Sequence, residues 1–195
     1  GSHARFQQAR AAGAAGIQVG SLFALSEESG MKAAYRTAIL NAIKNGSADE
    51  DLVRTTLYSP TGYPFKVVQI EGTLADEDVY NTRRRVCDLG MLQQRGLSQP
   101  DADGNRQLFQ RCQAAPIEDF LRKRGLERNT ADKRCLCNGL LATVGLGQMV
   151  RQDGSMVEEP AIVTLGNHID GVRRLSRNGQ MTFWARDVIN DILGD

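Results

Sequence analysis

Between residues 31 and 44 apolar positions recur at three- and four-residue steps. Met31, Ala34, Tyr35, Ala38, Ile39, Ala42 and Ile43 share one side of a predicted helix, and Asn45-Gly46 ends it. A second amphipathic pattern closes the chain over 183–193, with Trp184, Val188, Ile189 and Ile192 on one side. Residues 4–15, rich in Ala, Arg and Gln, predict a helix stopped by Gly16. Shorter helices are expected over 76–82 and 116–124, the latter with Pro116 in its first turn. Strand-length segments are expected at 17–19, 51–56, 66–70 and 161–165. Ser59-Pro-Thr-Gly-Tyr-Pro64, Gln99-Pro-Asp-Ala-Asp-Gly104 and Asp153-Gly154 carry turn and loop chemistry. Periodicity is weak from Cys87 to Cys137. The whole reads as α/β.

Length and charge narrow the function classes. With 195 residues the chain suits one domain or one and a half. Its formal net charge of +1 gives no electrostatic reason to expect nucleic acid or a strongly cationic partner. The basic triplet Arg83-Arg-Arg85 therefore reads as a solvated face. No apolar run is long enough to span a membrane, and no export signal is visible, so a cytoplasmic protein is expected.

Chemistry first suggests itself at Gly13-Ala-Ala-Gly-Ile-Gln-Val-Gly-Ser-Leu-Phe23. A short apolar strand stopping at Gly20-Ser21 is how a βα unit presents bare backbone N–H groups to a phosphate. Gly20 removes a side chain where an anion would approach, and Ser21 adds a hydroxyl. The plain alternative is an ordinary tight βα connection.

This stretch resembles the last strand and turn of the nitronate monooxygenase (2-nitropropane dioxygenase-like) family. That family is FMN-dependent and includes related enoyl reductases. Ile17 and Ser21 stand where its usual pattern has Val and Thr. The resemblance continues in patches through Ser26-Glu-Glu-Ser-Gly30, Ser59-Pro-Thr-Gly-Tyr-Pro-Phe-Lys66, Arg85-Val-Cys-Asp-Leu-Gly90 and Arg134-Cys-Leu-Cys-Asn-Gly-Leu140. It points to a longer bacterial subgroup with an extra C-terminal region.

The resemblance implies the C-terminal end of a (β/α)8 FMN-binding barrel over residues 1–47. An irregular α+β, Cys-containing extension would follow over 48–195. Gln18, Val19, Gly20 and Ser21 match one of the two loops that grip the FMN phosphate. The chain would then be the C-terminal part of an oxidoreductase acting on a small molecule, inactive as a fragment. Its first partner would be the missing N-terminal barrel portion, and homo-oligomers fit the same picture. No residue matches the family's catalytic histidine. His168, in Gly166-Asn-His-Ile-Asp170, lies far downstream and reads as structural or solvated.

The four cysteines are Cys87, Cys112, Cys135 and Cys137, and only the last two form a local pair. Basic residues precede each group: Arg83-Arg-Arg85, Arg111 and Lys133-Arg134. Positive neighbours favour thiolates. A shared metal in the 87–137 region is one reading, with zinc ahead of an iron–sulfur cluster. Small apolar fillers are the other. A non-catalytic, metal-stapled interaction domain is accordingly the alternative to the flavoenzyme. Glu27 and Glu28 are adjacent and point apart, so they suit a helix N-terminus rather than paired acid–base work. Lys66 reads as a surface lysine, and Gly145-Leu-Gly147 lacks dinucleotide-binding spacing.

Overall fold

Helices and short two-stranded sheets alternate along the chain in a computed structural model that describes residues 1–47, 49–176 and 181–194. In order they are α1 (His3–Ala11), α2 (Ser21–Ala24), α3 (Ala33–Lys44), α4 (Asp49–Leu52), β1 (Val53–Thr56) and β2 (Phe65–Val68). Then come α5 (Glu77–Thr82), β3 (Gln94–Leu97), β4 (Leu108–Arg111), α6 (Ile117–Arg122), a 3₁₀ turn (Glu127–Thr130) and α7 (Leu136–Thr143). The chain closes with β5 (Met149–Gln152), β6 (Ser155–Glu158), α8 (Asp170–Leu175) and α9 (Ala185–Leu193). The sheets are β1-β2, β3-β4 and β5-β6, and no closed barrel forms among the described residues.

The chain divides into two compact units. Unit 1 is Gly1–Arg54, Val68–Ile70 and Thr164–Asp195; unit 2 is Thr55–Val67 and Glu71–Val163. The expected boundary between 47 and 48 adjoins a residue outside the description.

In unit 1, α9 packs on α1 and α2, and α8 packs on α3 and α9. The α3 stripe is rotated from the predicted one. Ile39, Leu40 and Ile43 are buried, whereas Ala34 and Ala38 face solvent. The larger Leu40 gains more from burial than an alanine does, and Arg36 turns inward to pair with Glu27 at 2.7 Å. The α9 face is likewise narrower than expected: Val188 and Ile192 are buried, but Trp184 and Ile189 are exposed. α1 ends earlier than predicted, because Gly13 takes the left-handed conformation at φ +87°.

Two expected strands do not form. Residues 17–19 form no strand and pair with none among the described residues. The apolar 161–165 run is not a strand either. In unit 2, Ala161 and Ile162 are fully buried and spend their backbone groups on loops and a helix. The Leu74 N–H donates to the Ala161 carbonyl at 2.7 Å, and the Ile162 N–H donates to the Gly139 carbonyl at 2.9 Å.

The β5-β6 hairpin of unit 2 places Gln152 opposite Ser155. Asp153 and Gly154 turn it with φ of +48° and +84°, which suits the twist of a two-residue hairpin loop. In the β3-β4 hairpin Gly96 faces Phe109, whose ring occupies the space a Cβ would need. Val67, Leu74, Ala75, Leu136 and Ile162 form a core patched by Tyr58, Phe65 and Leu92.

Candidate functional site

Two places carry chemistry, one in each unit. In unit 1, Gln18 and Gly20 are exposed and Val19 is half-buried, and Gly20 already has helical dihedrals at φ −113°, ψ −59°. Gly20 precedes α2, whose N-terminus has no side-chain cap. A Cβ built on Gly20 would meet nothing within 4 Å, so the corner is open. The Ser21 hydroxyl accepts the Gly166 N–H at 2.7 Å. That bond uses a lone pair and leaves the hydroxyl proton free to be donated outward. Gln18, Val19, Gly20 and Ser21 thus remain contiguous on one exposed edge.

The Gly166 contact is not readable from spacing, since 145 residues separate the partners. The glycine itself was the only signal: a Cβ there would stand 3.2 Å from Ser21 Oγ. His168 follows in the same loop and is exposed. Glu27 and Glu28 serve different partners. Glu27 pairs with Arg36, and the Glu28 carboxylate accepts the Ala185 N–H at the start of α9, at 2.9 and 3.1 Å. Lys66 is an exposed residue of β2.

In unit 2 the four cysteines gather around Ala114 and Ala115. Cys112 and Cys135 are buried in this cluster, and Cys87 and Cys137 pack against it. All four are free thiols. Cys87 lies in the loop after α5, Cys112 follows β4, Cys135 caps α7, and Cys137 lies in the first turn of α7.

Cys112 donates its S–H to Cys87, which holds the Cys87 thiol down at about 6; the Gln93 side chain adds a donor at 3.8 Å. Cys112 is pushed up by that same bond and by burial, although the Ala114 N–H is directed at its sulfur. Burial pushes Cys135 up to about 11, only partly offset by the nearby Asn138 N–H; its side chain makes no capping bond to α7. Arg83 and Lys123 place positive charge near Cys135 and Cys87 respectively. Among the described residues no three His, Cys, Asp or Glu groups are already disposed to hold a metal ion.

Cys87 also lines a cavity of about 860 Å³ together with Arg83, Arg84, Arg85, Asp88 and Arg151. Of its arginines, Arg83 is not free to bind solutes. It forks onto Glu159 through bonds of 3.1 and 2.7 Å. Both side chains are almost fully buried, at 5% and 2% exposure. Burial nevertheless raises the Glu159 pKa, outweighing Arg83. Arg85 donates to the Tyr80 hydroxyl at 2.6 Å and to the Thr130 carbonyl at 3.1 Å.

Comparison of the chain with protein-family models, curated proteins and solved structures gives no match. No helix among the described residues is long and apolar enough to cross a membrane.

Proposed function

We propose that the chain is the C-terminal part of an FMN-dependent oxidoreductase of the nitronate monooxygenase type, and that unit 1 supplies part of its phosphate grip. One observation carries this reading. The Gly20-Ser21 corner is uncapped and has open space beside the exposed Gly20, with its half-buried serine held by the Gly166 N–H. A corner plugged by its own side chains would have no room for an anion.

The residues fit a phosphate rather than a redox centre. The uncapped N–H groups that begin α2 and the Ser21 hydroxyl are donors to a dianion. FMN, when bound, supplies the electron or hydride transfer, and these residues hold and orient its phosphate end. Residues 17–19, which form no strand among the described residues, are compatible with the same reading, since a barrel strand needs neighbours on both edges. The full barrel belongs to this proposal.

The test is flavin content. In the full-length protein, Gly20→Val places a branched side chain in the open corner and abolishes FMN retention. Wild-type flavin occupancy in that variant refutes the assignment. A second reading, a non-catalytic interaction module, is favoured by the gathering of the four thiols in unit 2. A full-length protein that binds no flavin decides for it.

A further inference from the structure

We infer that Cys87, Cys112, Cys135 and Cys137 are the ligands of one structural zinc ion that fastens unit 2. This stands apart from the flavin proposal, which concerns unit 1 alone.

The first ground is convergence. These are all the cysteines the chain has, and they come from separate segments, at positions 87, 112 and 135–137. They nonetheless meet in a single cluster. Cysteine used as a small apolar filler has no reason to collect in one place when alanine or valine would serve.

The second ground is the set of donors near sulfur. The Gln93 amide donates to Cys87 at 3.8 Å, and the Ala114 and Asn138 N–H groups lie near Cys112 and Cys135 and favour their charged forms, although Cys135 makes no capping bond to α7. A buried S–H needs no such partner. A metal-bound thiolate does, because its excess charge has to be stabilised from its surroundings. Cys135 precedes α7 and Cys137 sits in its first turn, so the short pair presents two sulfurs from one rigid element. Four thiolates around one dication leave two negative charges; Lys123 stands near Cys87 to offset part of them, while the Arg83 charge near Cys135 is already paired with Glu159.

The third ground is need. The strands and the helix that bear or flank these cysteines are short: β3 and β4 have four residues each and α7 has eight. Such pieces bury little apolar surface of their own, and a metal clip supplies the missing cohesion. Four protein sulfurs fill a tetrahedral shell, so the ion has no open position and a structural role. Zinc is preferred to an iron–sulfur cluster because one ion needs only four sulfurs, with no added sulfide. Cys87 opens onto the large cavity, which gives the ion an entry path.

Binding is an exchange of protons for metal. As they stand, Cys87 and Cys112 are hydrogen-bonded to each other as thiols. Zn²⁺ displaces the thiol protons to solvent as four S–Zn bonds form, and the sulfurs turn inward about their side-chain torsions. No electrons change hands.

The test uses the whole chain, purified without chelator. Elemental analysis is expected to find one zinc per chain. Replacement by Co²⁺ is expected to give the intense thiolate-to-cobalt band and the visible bands of a tetrahedral tetrathiolate site. Cys137→Ser, at a half-exposed ligand, should weaken the cobalt thiolate band and lower Tm. Removing the metal from the wild type with a chelator should lower Tm equally. A folded chain that carries no zinc and gives no cobalt–thiolate band overturns the inference. Iron with acid-labile sulfide overturns it as well.

Discussion

Arg134 offers a severe test of how unit 2 is held together. Its side chain is fully buried, at 0% exposure. The guanidinium lies between the rings of Tyr58 and Tyr80, 3.5 and 3.8 Å from their centroids. It donates to the Leu74 carbonyl at 3.0 Å, the Asp132 carbonyl at 2.9 Å and the Glu77 carboxylate at 2.5 Å. The perturbation is Arg134→Met, which keeps the length and removes the fork. Two charge-assisted bonds to backbone carbonyls are lost, at about 2 kcal/mol each. Two desolvated cation–π contacts add roughly 2 kcal/mol each. The Glu77 pair adds little, since that carboxylate is 59% exposed. Against this gross loss of about 8 kcal/mol stands the cost of keeping a guanidinium out of water, several kcal/mol. Methionine also recovers about 1 kcal/mol against the rings. A net loss of about 2–4 kcal/mol is expected, because the Leu74 carbonyl is left buried and unpaired. Urea unfolding followed by circular dichroism measures it. Hydrogen exchange of peptides spanning 71–86 locates it in unit 2. Arg134→Lys should fare almost as badly, since a point charge cannot reach three acceptors around two rings. A methionine variant as stable as wild type would refute the reasoning and make the buried arginine an energetic burden.

Two further outcomes follow from the packing and the buried ion pair. The Glu159 carboxyl has a raised pKa in the fold, so the folded state holds its proton more strongly than the unfolded chain does. Its contribution to stability is therefore greatest at low pH and is lost as pH rises through the folded value. Glu159→Gln, which imitates the protonated form, should flatten that decline in a series of denaturant titrations across pH, and an unchanged slope counts against it. Arg83→Met, which strands the carboxylate, should cost about 3–5 kcal/mol at neutral pH. Gly139→Ala sets propensity against space. Alanine favours a helix interior by about 1 kcal/mol, but its Cβ would stand 2.7 Å from Ile162 Cγ2 and 3.2 Å from the Ile162 nitrogen. Overpacking costs about 1–3 kcal/mol, so a lower Tm is expected, and a higher one would show that the loop yields.

What the residue pattern revealed depended on whether the cause was local. The β5-β6 turn was legible because Asp and Gly tolerate the positive φ that a two-residue hairpin loop requires, and both Asp153 and Gly154 adopt it. α3 was legible from its period, but not its orientation. Alanine and leucine count alike in a binary pattern, and only the neighbouring surface decides that Leu40 goes in and Ala38 stays out. The 161–165 run looked like a strand because four of its five residues are apolar. Those four are buried and Thr164 is exposed, but Ile162 donates to a helix carbonyl and Ala161 accepts from a loop, so no ladder forms.

The two candidate sites divide along the same line. The Gly20-Ser21 corner could be read from adjacent residues, yet Gly166, which orients its hydroxyl, could not. For the thiols the reverse holds. Cysteine count and basic neighbours suggested a common site across fifty residues; the four residues do pack in one cluster, but among the described residues no three of them are disposed to hold a metal ion. The compensating charges, however, are only partly the ones that adjacency picked out. Arg83 acts near Cys135, far from it in sequence, and Lys123 acts near Cys87. Charge near a thiol is set by which loops meet, so a basic residue one step upstream in the chain is a poor guide to which cation a sulfur faces. The nearby backbone N–H groups are the better guide, because Ala114 and Asn138 lie only two and three residues beyond Cys112 and Cys135, so the local turn fixes where they stand.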